Sequence, residues 1–260
     1  MNIKLISLFL GLLVTVTGAQ TDDQPAFAMS ASAKYLSRFV AYGIDLAGDS
    51  PAWGGNISIG HRTGFYADGY YTRPTKSVED AQQIALDVGY EHDFSSRLSF
   101  YAEFAHYIYA SDTVNIFSGF SNSVTLNASI DLEFFDLGLS YDRYLGTDGA
   151  SYFSADISTF TEAGPVYLLP MIQVVFMSQT VEDKYLNKGK GKKQPPAEEI
   201  VTTEITGLAN TLITLVAVYP IVDHLNFSLV PTLILNHQSE LSVESSRFVW
   251  NAALRYSFDL

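Results

Sequence analysis

Apolar and polar residues alternate along almost the whole 260-residue chain, in runs long enough to leave few folds open. The stretch Arg97–Tyr109, RLSFYAEFAHYIY, is representative. An extended chain turns successive side chains to opposite faces. Leu98, Phe100, Ala102, Phe104 and His106 therefore share one face, and Ser99, Tyr101, Glu103, Ala105 and Tyr107 the other. Comparable segments occur near 28–46, 52–63, 65–73, 81–93, 97–110, 123–133, 135–145, 151–161, 165–179, 207–219, 224–238 and 246–258. Many exceed the ~5–6 residues usual in soluble sheets and reach the ~9–11 that a tilted strand needs to cross a bilayer. No useful length shows the 3.6-residue period of a helix, and nothing reads as a linker.

The connections between these segments alternate in length. Tight turns are expected around Arg62-Thr63-Gly64, Asp93–Ser96, Glu133–Phe135, Glu162–Gly164 and Ile221–Asp223. Longer loops are expected around Ala47–Pro51, Pro74–Asp80, Ser111–Asn122, Gly146–Ala150, Thr180–Thr206 and Ser239–Ser245. Short turns at one rim and long loops at the other are the pattern of a membrane barrel; a two-sheet sandwich gives no reason for it. Charges on the second face point the same way. Ile84, Leu86 and Val88 oppose Asp87 and Glu91, Leu137, Leu139 and Tyr141 oppose Asp136 and Asp142, and Phe248, Trp250 and Leu254 oppose Arg247, Asn251 and Arg255. Burying such groups in a sandwich core is costly, whereas a barrel lumen accommodates them. The fold expected is all-β: a transmembrane antiparallel up-and-down β-barrel of twelve strands. Its termini are expected on the periplasmic side, with a long outward loop near 180–206. Segments 165–179 and 207–219 are apolar on both faces, so their orientation is not readable.

The first residues, MNIKLISLFLGLLVTVTGAQ, have a lysine, a short apolar core and small residues at Thr17-Gly18-Ala19. They read as a secretory signal spanning 1–19, leaving 20–260 as the barrel. The chain contains no cysteine, which excludes disulfides, thiolate metal sites and a lipidated N-terminal cysteine. Hydrophobic residues make up 47% and charged residues only 17%, below the usual quarter, a combination suited to greasy faces without a greasy helix. The net charge of −13 argues against nucleic acid as a partner. Outer-membrane lipids and lipopolysaccharide are the expected surroundings. The chain's end, Tyr256–Leu260, resembles the sorting signal read by the barrel-assembly machinery. Aromatics near strand ends, among them Phe65-Tyr66, Tyr70-Tyr71, Tyr107, Tyr109, Tyr141, Tyr144, Tyr219 and Tyr256, are expected to form interfacial girdles.

The first hairpins, Tyr35 to Arg73, resemble the opening of the TorF-type porin family, also described as the uncharacterised Gly-Cys-Trp family. Arg38, Gly43, Pro51-Ala52, Gly54-Gly55 and Gly64-Phe65-Tyr66-Ala67 match its pattern, and FDLGLSYDRYLG, from Phe135 on, is similar to its middle hairpin strand. The first-strand Arg-Gly is spread over a longer interval, the third-strand Trp is replaced near Tyr70-Tyr71, and the Cys is absent. The resemblance covers the first third of the chain and implies an outer-membrane barrel.

Strand parity assigns a lumen-lining set: Arg38, Arg62, Asp68, Asp87, Glu91, Glu103, Asp131, Asp136, Asp142, Asp156, Arg247, Asn251 and Arg255, with Lys34 and Glu133. Carboxylates outnumber bases, which suits a conduit for small, cationic solutes. The alternatives are a closed accessory barrel, binding another envelope protein, and a lipid hydrolase. The hydrolase reading rests on His237 and Ser239, a His-x-Ser pair near the outer rim, since nucleophilic catalysis needs Ser beside a base. The lysines of the long loop, Lys184, Lys188, Lys190, Lys192 and Lys193, suit a solvated loop or contact with lipopolysaccharide phosphates. His61, His92, His106 and His224 are scattered and define no metal site, and no cofactor motif is present.

Overall fold

The computed structural model describes residues 26–38, 40–41, 44–45, 50–75, 83–109, 122–145, 150–187, 197–238 and 245–259. The expected signal segment and Ser239 lie outside these residues. The strands in chain order are β1 (Phe27–Leu36), β2 (Val40–Ala41), β3 (Ile44–Asp45), β4 (Ala52–His61), β5 (Phe65–Pro74), β6 (Gln83–Ser95), β7 (Leu98–Tyr109), β8 (Asn122–Asp131), β9 (Asp136–Leu145), β10 (Ser151–Ser158), β11 (Thr161–Ala163), β12 (Val166–Asn187), β13 (Ala197–Val222), β14 (Leu225–Asn236) and β15 (Ser246–Asp259). Each stave pairs antiparallel with its sequence neighbour. β1 also pairs with β15 through Ala28↔Asp259 to Leu36↔Asn251, joining the two ends of the chain. The pairing of β10 with β12 completes the ring. β11 continues β10 along the edge of β12, and β2–β3 is a separate small hairpin. The barrel therefore has twelve staves. A closed ring removes the unpaired strand edges that neither lipid nor water-free packing tolerates.

The alternation read from the sequence becomes an alternation of exposure. Ile57, Val88 and Leu139 are 60%, 56% and 52% exposed on the outer face. On the inner face Thr232, Asp87 and Leu212 are 0%, 1% and 1% exposed. Large apolar side chains stand outward on every stave, so the outer wall suits hydrocarbon. The short turns use residues that tolerate a left-handed backbone. Gly64 (φ 96°) and Gly164 (φ 62°) turn two of them, and Glu133 (φ 73°) and His224 (φ 67°) turn two more at a steric cost.

Three expectations are corrected. The first strand does not run to residue 46: it ends at Leu36, and the short β2–β3 hairpin follows. The outward loop near 180–206 is largely strand, because β12 and β13 stay paired from Gln179↔Ile205 to Asn187↔Ala197, and only 188–196 between them lie outside the described residues. Several tyrosines assigned to interfacial girdles face inward: Tyr107 and Tyr144 are 6% and 5% exposed, and Tyr66 and Tyr70 share the inward parity of Asp68. Genuine outward aromatics do mark the rims, with Tyr35 against Trp250 (ring centroids 5.5 Å apart) and Trp53 against Tyr71 (5.5 Å) at one end, and Phe65 against Tyr90 (4.8 Å) at the other.

Candidate functional site: the charged inner wall

The inner face is not uniform around the ring. β12, β13 and β14 turn Leu169, Met171, Val175, Leu212, Val216, Val218, Val230 and Ile234 inward, along with uncharged polar groups such as Gln173, Thr214 and Thr232. This explains why segments 165–179 and 207–219 are apolar on both faces: one face meets lipid and the other forms the neutral sector of the lumen. Thr214 and Thr232 share a hydrogen bond of 3.1 Å, and Gln173 Nε2 donates to Ser154 Oγ at 3.1 Å, which satisfies polar groups that have almost no access to solvent.

The charged sector begins on β15 and β1 and runs round to β10. Arg247, Asn251 and Arg255 come from β15 and Lys34 from β1. Small residues then open space: Ser30 and Ser32 on β1 stand beside Ser58 and Asn56 on β4, and Ser32 hydrogen-bonds Asn56. Long basic side chains reach across that space. Arg255 Nη2 donates to Ser30 Oγ at 2.8 Å and lies in the field of Asp68. Lys34 Nζ lies 5.4 Å from the centroid of the Tyr70 ring, a placement that attracts a cation. Asp68 accepts hydrogen bonds from Ser58 and Tyr70.

Glu103 on β7 is the most elaborately held acid. Tyr66 Oη donates to its Oε2 at 3.1 Å, and Tyr101 donates to the same oxygen. The two phenol rings stack with centroids 5.7 Å apart and planes 9° apart. Tyr66 reaches Glu103 by lying flat over Gly89, where a Cβ would stand 2.1 Å from its hydroxyl. Gly138 plays the same part for Asp156, whose carboxylate occupies the space a side chain would fill, 2.3 Å from the nearest oxygen. On β9, Asp142 Oδ1 accepts from Thr125 Oγ1 at 2.6 Å. Nearby, Tyr107 stacks on Tyr144 with ring centroids 6.1 Å apart, and Tyr152 meets Tyr144 edge-on at 5.9 Å.

The residues named from strand parity therefore separate by position. Asp68, Asp87, Glu103, Asp142, Asp156, Arg247, Asn251 and Arg255 stand on the inner wall, and Glu91 lies half-buried nearer the short-turn rim. The structure corrects two others. Arg62 is exposed in the turn after β4. Asp131 is exposed at the end of β8, where its Oδ1 accepts the Glu133 amide at 2.6 Å and shapes the turn. Asp136 sits opposite Asp131 at that same rim, Glu133 pairs with Arg97 outside the lumen, and Arg38 follows the end of β1 at the other rim. His237 is exposed just beyond β14; its Nε2 lies 2.9 Å from Thr211 Oγ1 and its amide donates to Ala209 O at 2.9 Å. Its expected partner Ser239 is not among the described residues. The lumenal tyrosines were not in the predicted set, yet the signal was present: Tyr66 and Tyr70 flank Asp68 at the inward period of two.

Neither a protein-family model nor a curated protein matches this sequence. Solved structures do. The KdgM porin superposes with a TM-score of 0.54 at 11% identity, covering 88% of this chain and 99% of that one. The KdgM porin in complex with disordered oligogalacturonate gives 0.51 at 11% identity, over 89% and 99%. The NanC porin gives 0.50 at 10% identity, over 88% and 98%. Identities this low carry the fold alone: the chain is a closed, antiparallel, twelve-strand barrel of the outer-membrane type.

Proposed function

We propose that the protein is a porin-like channel of the bacterial outer membrane that passes small solutes and favours cations. The observation carrying this reading is the charge balance of the inner wall. Asp68, Asp87, Glu103, Asp142 and Asp156 face Lys34, Arg247 and Arg255, so acids exceed bases whatever the pairing among them. Ionisable groups inside a membrane-spanning element are expensive to bury and mark the path of a polar solute. A low-dielectric tube with net negative walls concentrates cations and repels anions. The fold shared with KdgM and NanC, both named porins, supports the channel class, and the lipid-suited outer wall supports the location.

The near-complete burial of inward side chains on β12 to β14 favours a narrow path, as expected of a ring intermediate between filled eight-strand barrels and open sixteen-strand porins. The test is reconstitution of the purified barrel into a planar bilayer. Small, discrete conductance steps are expected. A folded barrel that conducts nothing would instead indicate a closed accessory barrel.

A further inference from the structure

On β7 to β10 the acids Glu103, Asp142 and Asp156 turn into the lumen, and the outward face is apolar over most of its height. Phe104, Leu126, Leu139 and Phe153 are all exposed there. At the loop-side ends of the same four strands the outward face changes character. His106 stands near the end of β7, Asn122 at the start of β8, Arg143 near the end of β9 and Ser151 at the start of β10. By parity all four share the outward face with those apolar side chains.

The register makes these four residues neighbours. His106 lies opposite Asn122, and Arg143 opposite Ser151. Val124 lies opposite Arg143, which places Asn122 one diagonal step from the arginine. Each pair is tied by a hydrogen bond. His106 Nδ1 donates to Asn122 Oδ1 at 2.8 Å, and Arg143 Nη1 donates to Ser151 Oγ at 2.6 Å. Three strand spacings of ~4.8 Å make the patch about 14 Å wide, room for a sugar headgroup with its phosphate.

The charges are placed unevenly. Among the described side chains of the staves, the outward arginines are Arg73 and Arg143, both exposed at the loop side. At the opposite rim Arg62 and Arg97 lie in turns, and Arg97 pairs with Glu133. Arg73 stands opposite Trp53, beside the Trp53–Tyr71 ring pair. Arg143 stands instead among a hydroxyl, an amide and an imidazole. Glu204 is exposed on the ribbon that β12 and β13 form above the rim, three strands from Arg143. An arginine on a lipid-facing wall is costly at depth and settles at the interface. There its planar fork matches phosphate oxygens.

We infer that this patch binds the phosphorylated glycolipid of the outer leaflet, the lipid A part of lipopolysaccharide. Arg143 takes a phosphate, His106 and Asn122 meet the sugar, and the acyl chains lie along Leu126, Leu139 and Phe153. The inference rests on the outer-membrane location and not on conduction. The test titrates the delipidated full-length barrel, in detergent, with lipid A, dephosphorylated lipid A or phosphatidylglycerol. Bound lipid is read by native mass spectrometry. Lipid A should bind at least about tenfold more tightly than its dephosphorylated form, and Arg143→Gln should remove about that factor. Arg143→Lys should fall between, since it keeps the charge without the fork. Arg73→Gln should change nothing. Should Arg143→Gln fail to fold, Ser151→Ala removes only the hydroxyl that steadies the guanidinium, with an expected loss of about threefold. Equal binding of dephosphorylated lipid A, or unchanged binding in these variants, overturns the site. An equal loss in Arg73→Gln shows a diffuse attraction of the rim and overturns it too. Phosphatidylglycerol bound as tightly as lipid A overturns the choice of glycolipid. A chain without heat-modifiable migration fails the membrane location, whereas a folded barrel without the phosphate preference fails the site alone.

Discussion

At the scale of single residues, the inner wall depends on side chains that are missing as much as on those present. Tyr66 can hydrogen-bond Glu103 only because Gly89 leaves its phenol room to lie flat. A methyl group at that position would meet the Tyr66 hydroxyl at 2.1 Å and the Ala102 carbonyl oxygen at 2.7 Å, so both a ring and a neighbouring strand would have to move. Gly89→Ala is expected to lower barrel stability by about 1–3 kcal/mol, the usual cost of overpacking, read as a shift in the urea midpoint of unfolding in vesicles. Glu103 itself was legible from parity, as were Asp87 and Arg255. The lumenal tyrosines were hidden by a competing rule, since aromatics near strand ends are usually interfacial. In Tyr66, Tyr70, Tyr107 and Tyr144 the inward period prevails, because their hydroxyls and rings have partners inside the barrel.

At the scale of strands, the sequence defined a stave wherever its two faces had different solvents. On β9 the outward Leu137, Leu139 and Tyr141 and the inward Asp136, Ser140 and Asp142 leave no ambiguity. On β12 and β13 the faces could not be told apart because lipid and the neutral lumen sector both accept apolar side chains. The ribbon above the rim was read as loop for a related reason: its Lys, Gly and Glu content matches solvated chain, and the pairing of two strands to each other leaves little trace in composition. Leu139, 52% exposed on the lipid face, gives a direct check of stave orientation. Leu139→Arg is expected to cost about 2–4 kcal/mol, the range for an arginine near the bilayer midplane, measured by the same unfolding assay. An unchanged midpoint would mean that this face does not meet hydrocarbon.

At the scale of the whole molecule, closure and charge are the two properties that matter. The ring is held by backbone hydrogen bonds on every stave, including the β1–β15 seam between the chain's ends. Such a barrel should resist detergent at room temperature and unfold only on heating, so unboiled and boiled samples should migrate differently on electrophoresis. A soluble protein with a single migration would remove the membrane barrel. The channel itself is tested most directly by the reversal potential of the reconstituted barrel under a potassium chloride gradient. Among the described residues, the five carboxylates named deep on the inner wall against its three bases predict a reversal potential of the sign given by cation permeation. Replacing Asp87 by Asn and Glu103 by Gln together should move it towards zero, because changes in the lumen tune selectivity. A reversal potential of the opposite sign in the parent protein, showing preference for chloride, would contradict the account.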